Sequence, residues 1–373
     1  MARIELQDLS HSYVQMLGGG VNGTPKECVG EEGFAIRGLN LAWESGSANA
    51  LLGPSGCGKT TLLNIISGLL RPTGGRVLFD GRDVTGLSPR ERHIAQVFQF
   101  PVVYDTMSVF DNLAFPLLNS GVSRKEARRR VEEIAEILEL RDFLSALSGR
   151  LNPAEKQKVS LGRGIVREDT AAILLDEPLT VIDPKAKYVL RRKLKEVQRK
   201  LKITMTYVTH DQHEALTFAD FVTVMKDGRV IQTGTPEQLH SDPASPFIGY
   251  FIGTPGMNFI DCTLTEKGLD FGDFSMVISD AIRSRLGGQG GRFRLGIRPE
   301  CVEASKGAKE GWVPLAVNVL ENVGIYKILT LTSDGILIKS RVPEDMVVSE
   351  GDRVWVNFPE DKLKIFKDDK KIY

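Results

Sequence analysis

Gly53-Pro54-Ser55-Gly56-Cys57-Gly58-Lys59-Thr60 is the stretch on which the reading of this chain turns. It follows the apolar run Ala50-Leu51-Leu52 and leads into Thr61-Leu62-Leu63-Asn64-Ile65-Ile66, so GxxxxGK[ST] sits between a strand and a helix, the context that motif requires. Glycines there let successive backbone N–H groups turn inward around phosphate oxygens, and the following helix adds its positive end. Lys59 is placed to reach β- and γ-phosphates, and the Thr60 hydroxyl to ligate Mg²⁺. The expected nucleotide contacts are therefore Gly53, Pro54, Ser55, Gly56, Cys57, Gly58, Lys59, Thr60 and Thr61.

Working outward, Ile173-Leu174-Leu175-Asp176-Glu177-Pro178 is an apolar run ending in two carboxylates. A strand buried in a parallel sheet reads as continuous apolar residues and delivers its C-terminal end to the ligand crevice. Asp176 is expected to hold Mg²⁺, directly or through water, and Glu177 to polarise the attacking water. Tyr207-Val208-Thr209-His210-Asp211 ends a second apolar strand, which brings His210 to the same face as a γ-phosphate sensor. Asp211 and His213 read as helix-cap or supporting residues.

The remaining sequence is organised around this core. Ile4 to Leu9 alternates like a half-buried strand, and residues 17–33, rich in glycine and without period, read as a surface loop. A charged amphipathic helix is expected over 124–140, another helix around 153–167 and a basic helix over 185–201, with a strand over 203–208 between the last of them and His210. Strands alternating with helices argue for a parallel α/β core over 1–240, with a helical subdomain over about 101–165. Beyond that, short β-like runs such as 293–297, 328–331 and 354–356 between Gly, Pro and Asp turns read as a separate β domain, 241–373.

Composition narrows the class. Lys+Arg and Asp+Glu both number 48, so no general basic field would hold the chain on nucleic acid or an anionic bilayer. Cys28, Cys57, Cys262 and Cys301 form no CxxC pair or metal spacing, as expected for a reducing cytoplasm. The charged start, Met1-Ala2-Arg3-Ile4-Glu5-Leu6, lacks the apolar core of a signal peptide, and no run reaches the ~18–20 apolar residues of a bilayer span. Any membrane contact is expected through a partner.

These pieces, in this order, resemble the nucleotide-binding subunits of ABC transporters over nearly the whole chain. The resemblance implies a P-loop NTPase domain of α/β class that binds and hydrolyses ATP with Mg²⁺. It implies that Tyr13 stacks on adenine, that Gln99 in Val97-Phe98-Gln99 contacts Mg²⁺ and relays to the membrane subunit, that Asp183 belongs to the loop crossing the dimer interface, and that His210 is the switch histidine. Phe251 to Phe259 and Leu295-Gly296-Ile297-Arg298-Pro299-Glu300 resemble the regulatory, OB-like β domain of maltose-type carbohydrate-importer ATPases. The implied partners are a second ATPase subunit, two membrane permease subunits and, indirectly, a solute-binding protein, with the chain peripheral on the cytoplasmic face. The solute class implied is a sugar, polyol or glycerol-like molecule. Region 101–150 is expected to meet the membrane subunit, with Phe110, Leu113, Phe115 and Leu117 either apolar contact candidates or, at least as readily for any one of them, the core of this subdomain.

One departure from the family stands out. The family's Leu-Ser-Gly-Gly-Gln signature falls in register on Leu151-Asn152-Pro153-Ala154-Glu155, ahead of Lys156-Gln157-Lys158-Val159-Ser160; Leu147-Ser148-Gly149-Arg150 lies four residues out of register. Asn152, Pro153 and Glu155 make a sound helix start: cap, Pro at N1, acid at N3. As a γ-phosphate contact in the partner's site they are poor, because a hydroxyl and a backbone N–H are gone, Ala154 crowds the approach and Glu155 brings negative charge. A heterodimer with one strong and one weak ATP site is expected over a homodimer, as in the paired ATPases of glycerol-type importers, which the altered loop Leu179-Thr180-Val181-Ile182-Asp183-Pro184 also resembles. Two other functions compete. A soluble ABC ATPase acting on nucleic acid or ribosomes is disfavoured by the neutral charge and the lack of tandem domains, and a non-hydrolysing regulatory subunit by the intact Lys59, Asp176, Glu177 and His210.

Overall fold

The structure, a computed structural model, describes residues 2–13, 33–180, 182–287, 291–333 and 335–373. The expected Gly-rich loop, Gly33 apart, and Val181 lie outside the described residues. The chain divides into two compact units, Met1–Pro236 and Glu237–Tyr373, a few residues ahead of the boundary read from the sequence.

The first unit is built on β1 (Ile4–Ser12), β2 (Phe34–Trp43), β3 (Ala48–Leu52), β4 (Gly74–Phe79), β5 (Arg82–Asp83), β6 (Ile94–Val97), β7 (Ala172–Asp176), β8 (Met205–Thr209), β9 (Phe221–Lys226) and β10 (Arg229–Gly234). One sheet runs β2-β1-β4-β5, antiparallel. The other runs β10-β9-β3-β8-β7-β6, and its β9, β3, β8, β7 and β6 are parallel neighbours. Every residue of β3 and β8 is buried, which explains their unbroken apolar or small-residue character. Helix α1 (Lys59–Ser67) follows β3 directly.

A helical insertion separates β6 from β7. It holds α2 (Val109–Asn119), α3 (Arg124–Ile137) and α4 (Pro153–Ile165). Leu113 and Leu117 lie one helical turn apart on the inner face of α2 and are buried, so they form the core of this insertion and not an exposed patch. Phe110 and Phe115 are half-buried, the first under the Arg128 guanidinium and the second against Tyr104. Exposed apolar side chains cluster on the segment entering the insertion, at Phe98, Phe100 (66% exposed), Val102 and Tyr104, with Leu118 and Leu147 exposed within it. After β7 come α5 (Pro184–Leu201) and, beyond β8, α6 (Gln212–Phe218).

The second unit carries two antiparallel sheets over one apolar core that includes Leu295, Leu329, Val354 and Ile365. The first sheet joins segments 258–265, 268–270, 275–276, 292–297, 364–367 and 370–371; the second joins 303–305, 313–322, 326–333, 336–343 and 353–357. Arg298 is buried in this unit and donates to the carbonyls of His240, Gly249 and Ile252. Among the described residues no helix is long and apolar enough to cross a membrane.

Candidate functional site

Parallel register brings four strand ends to one edge. Leu52 pairs with Thr209, Asp176 with Val208, and Val97 with Leu175, so the segments leaving β3, β8, β7 and β6 emerge side by side. These segments carry the 53–60 loop, His210, Glu177 and Gln99, residues far apart in the chain but gathered at the C-terminal edge where α/β sheets bind ligands.

The loop has little freedom to be anything else. Gly58 caps α1 with φ +98°, and a Cβ there would sit 2.4 Å from the Ala35 carbonyl oxygen. A Cβ on Gly53 would meet the Met225 carbonyl oxygen at 2.4 Å. Lys59 is buried and its ammonium donates to the carbonyls of Gly53 (2.8 Å) and Pro54 (2.9 Å), folding the side chain back across the loop. Ser55, Gly56, Gly58, Lys59, Thr60, Thr61 and Glu177 line a depression of about 230 Å³. Cys57 is buried in the loop, and burial pushes its thiol pKa up against the opposing pull of Lys59.

The two acids differ in setting. Asp176 faces Thr60, with Oδ1 3.5 Å from Thr60 Oγ1. Its pKa is raised, first by burial and then by the neighbouring charge of Glu177, against the lowering effects of Thr60 and Lys59. Glu177 adopts a left-handed backbone (φ +45°) and its N–H donates to the Val208 carbonyl at 2.9 Å. Its Oε1 lies 2.9 Å from His210 Nδ1, and its Oε2 accepts from the Thr180 hydroxyl at 3.2 Å. A carboxylate held from two sides beside a phosphate cradle can orient a water for attack.

The other expected residues fall as follows. The Tyr13 hydroxyl is 3.1 Å from that of Thr61 on α1, and the ring meets His11 edge to face at 4.7 Å between centroids. Gln99 lies half-buried two residues past β6. Asp183 caps α5, accepting from the Ala186 N–H at 3.0 Å. Asn152 and Glu155 form a reciprocal capping box, each side chain accepting from the other's backbone N–H at 2.9 Å, with Pro153 in the first turn and Ala154 after it. Ser148 of the out-of-register stretch is buried and bonded to Asn112. Asp211 caps α6 through the Glu214 N–H.

Two residues of this neighbourhood escaped the sequence reading. Thr180, on Glu177, carries no local signal. Glu214 does: Asp211-Gln212-His213-Glu214 is an acid three residues past a capping acid. The sequence gives no sign, however, that its carboxylate points inward.

Comparison with known proteins accords with this geometry. Residues 36–180 match the model of the ABC transporter family, and residues 253–302 that of the MalK OB fold domain. The chain is 36% identical to the sn-glycerol-3-phosphate import ATP-binding protein UgpC 1 of Rhizobium johnstonii, covering 90% of each chain. It is 39% identical to the trehalose/maltose import ATP-binding protein MalK of Thermococcus litoralis, covering 89% of this chain and 93% of that one. Among solved structures it resembles CbiO1 of Clostridium perfringens, part of the ABC transporter complex CbiONQ, with a TM-score of 0.56, 27% identity, and coverage of 64% of this chain and 90% of that one. The phosphate loop, the strand-end acids and this likeness over nearly its full length together place the chain in the ABC transporter family, as an ATP-binding and ATP-hydrolysing subunit of the import type with a MalK-type OB domain.

Proposed function

We propose that this chain is the motor of an importer for a glycerol-phosphate, sugar or polyol solute, working beneath two membrane permease subunits at the cytoplasmic face and served by a solute-binding protein. The single observation that carries the chemical part is the contact of His210 with Glu177 beside the Lys59 loop. Lys59 and the loop N–H groups hold the ATP phosphates, Tyr13 stacks on adenine, Glu177 orients the attacking water, and His210 holds Glu177 and senses the γ-phosphate. The solute class rests on the names of the relatives, glycerol-3-phosphate and trehalose/maltose.

Thr60 and Asp176 supply a hydroxyl and a carboxylate 3.5 Å apart. This hard-oxygen pair suits Mg²⁺, which Thr60 and Asp176 would hold, with Gln99 as the third residue proposed. The ion held there would supply neutralisation of phosphate charge.

Leu151 to Glu155 faces the ATP of a second ATPase subunit, and the spent donors of the Asn152–Glu155 cap support a heterodimer with unequal sites. Exposed Phe98, Phe100, Val102 and Tyr104, beside Gln99, are the proposed contact with a permease subunit. Affinity purification of the tagged chain from its own membranes, with cross-linking from position 100, tests this reading. Two permeases and a distinct second ATPase are expected, with cross-links to a permease. Recovery of a homodimer, or cross-links only to the solute-binding protein, would contradict it.

A further inference from the structure

Glu214 is a buried carboxylate that the chemistry above does not use, 5% exposed on the first turn of α6. A buried charge costs several kcal/mol unless its oxygens are satisfied, and here each oxygen is. Oε2 accepts from the Tyr207 hydroxyl and the Thr209 hydroxyl, both at 3.0 Å. Oε1 lies 3.5 Å from the ammonium of Lys187. The Thr209 hydroxyl in turn accepts from the Asp211 N–H at 3.0 Å, and Asp211 accepts from the Glu214 N–H at 3.1 Å. The residues on either side of His210 are thus tied into one ring closed by the Glu214 carboxylate.

The other end of the ring leads away from the strand. Lys187 lies one turn into α5, and its N–H donates to the Asp183 carbonyl at 2.9 Å. A continuous set of contacts therefore runs from Asp183 through Lys187 and Glu214 to Thr209 and Asp211, and from His210 to Glu177. The cap uses only the Glu214 backbone N–H, which any non-proline residue would supply, so capping does not account for the inward carboxylate or its lysine.

We propose that Glu214 is a positioning residue that fixes His210 against Glu177 and ties that geometry, through Lys187, to the helix beginning at Asp183. The inference rests on the roles given above to Glu177 and His210. Contiguity alone does not establish coupling, and a double-mutant cycle does.

The test compares Glu214→Gln, Lys187→Met, the double variant and Glu177→Gln in the purified transporter, reading Mg-ATP turnover, with affinity for a fluorescent ATP analogue and thermal midpoint read on the full chain. Glu214→Gln should lower kcat at least about tenfold with KM and analogue affinity within about twofold, and Lys187→Met should lower kcat severalfold. The double variant should be no slower than Glu214→Gln alone, within about twofold. Lys187 is partly exposed, so its variant reports even if Glu214→Gln unfolds. A Glu214→Gln kcat within about twofold of wild type, a parallel loss of affinity and kcat, or independent multiplication of the two effects would each overturn the proposal. If Glu177→Gln is inactive in those cases, the proposal alone fails; if Glu177→Gln turns over normally, the underlying assignment fails and the proposal with it.

Discussion

His210 Nδ1 lies 2.9 Å from Glu177 Oε1, although the two residues are 33 positions apart and leave different strands. Glu177 takes this contact from a left-handed backbone, a conformation that costs a non-glycine residue free energy and persists only where the surroundings enforce it. Thr180 fixes the other carboxylate oxygen. Glu177 lines the depression together with Lys59 and Thr60, where a γ-phosphate and its attacking water would meet.

Lys59 and Glu177 should separate binding from chemistry. Lys59→Ala removes the ammonium that spans the loop, and each lost charge-assisted bond to phosphate is worth ~1.5–3 kcal/mol, so ATP affinity should fall at least about tenfold. Glu177→Gln should bind ATP normally and stop turnover. Equilibrium titration with single-turnover kinetics distinguishes the two, and near-wild-type turnover by Glu177→Gln would remove it as the residue that orients water.

Tyr13→Ala should weaken ATP more than Tyr13→Phe, because stacking needs the ring. The hydroxyl partner on Thr61 adds a smaller effect, since Phe loses one neutral hydrogen bond of ~0.5–1.5 kcal/mol. Nucleotide titrations of Tyr13→Phe, Tyr13→Ala and Thr61→Val check the order. Equal losses for Phe and Ala would assign the role to the hydroxyl.

Asp176 predicts a pH signature. Its pKa is raised by burial and by Glu177, so the native state holds its proton to higher pH than the unfolded chain. Both states are protonated below the ordinary carboxylate value; stability is then lost as pH rises from that value through the raised one, and stays lost at neutral pH. Asp176→Asn should therefore raise Tm near pH 7 while abolishing turnover, with the gap in Tm closing toward about pH 3. A lower Tm for Asp176→Asn at neutral pH would show that the carboxylate stabilises the fold.

The altered signature should make the purified chain alone a slow ATPase. Asn152→Ser, Pro153→Gly, Ala154→Gly and Glu155→Gln together restore hydroxyl, N–H and charge while keeping an S-x-x-Q capping box, so the helix start survives. If the loop has only lost function, activity of the assembled transporter should rise, by about tenfold for one regained charged hydrogen bond. If the inequality is part of the mechanism, turnover should stay flat or uncouple from transport. Robust, cooperative turnover by a homodimer of the unmodified chain would end the heterodimer reading.

Arg92 is a structural counterpart to Lys59. It is buried and donates to the carbonyls of Ile65, Ile66, Thr85 and Leu87, closing the C-terminal end of the helix that the phosphate loop opens. Arg92→Leu removes the donor to all four carbonyls, of which Ile65 keeps the Gly68 N–H, and should cost roughly 2–4 kcal/mol, read by denaturant unfolding. A change within ±0.5 kcal/mol, ordinary for a surface site, would show that water replaces the guanidinium.

The phosphate loop, the paired acids and the helix start at Asn152 were legible in the sequence because each is set by neighbours a few positions away. Glycine backbone freedom, the helix N-terminus and reciprocal capping all act within one turn of chain. Tertiary structure decided what depends on strand order. Leu113 and Leu117, which the sequence left open between partner contact and core, are core because the insertion folds α2 against its neighbours, whereas Phe98, Phe100, Val102 and Tyr104 stand exposed. The contact of His210 with Glu177 exists only because β8 lies beside β7 in register, and that of Glu214 with Lys187 because α6 packs against β8 and α5. Local residue preferences fix how a segment turns, whereas pairing between distant strands is settled by burial of the whole sheet, and that sum is not written in any one motif.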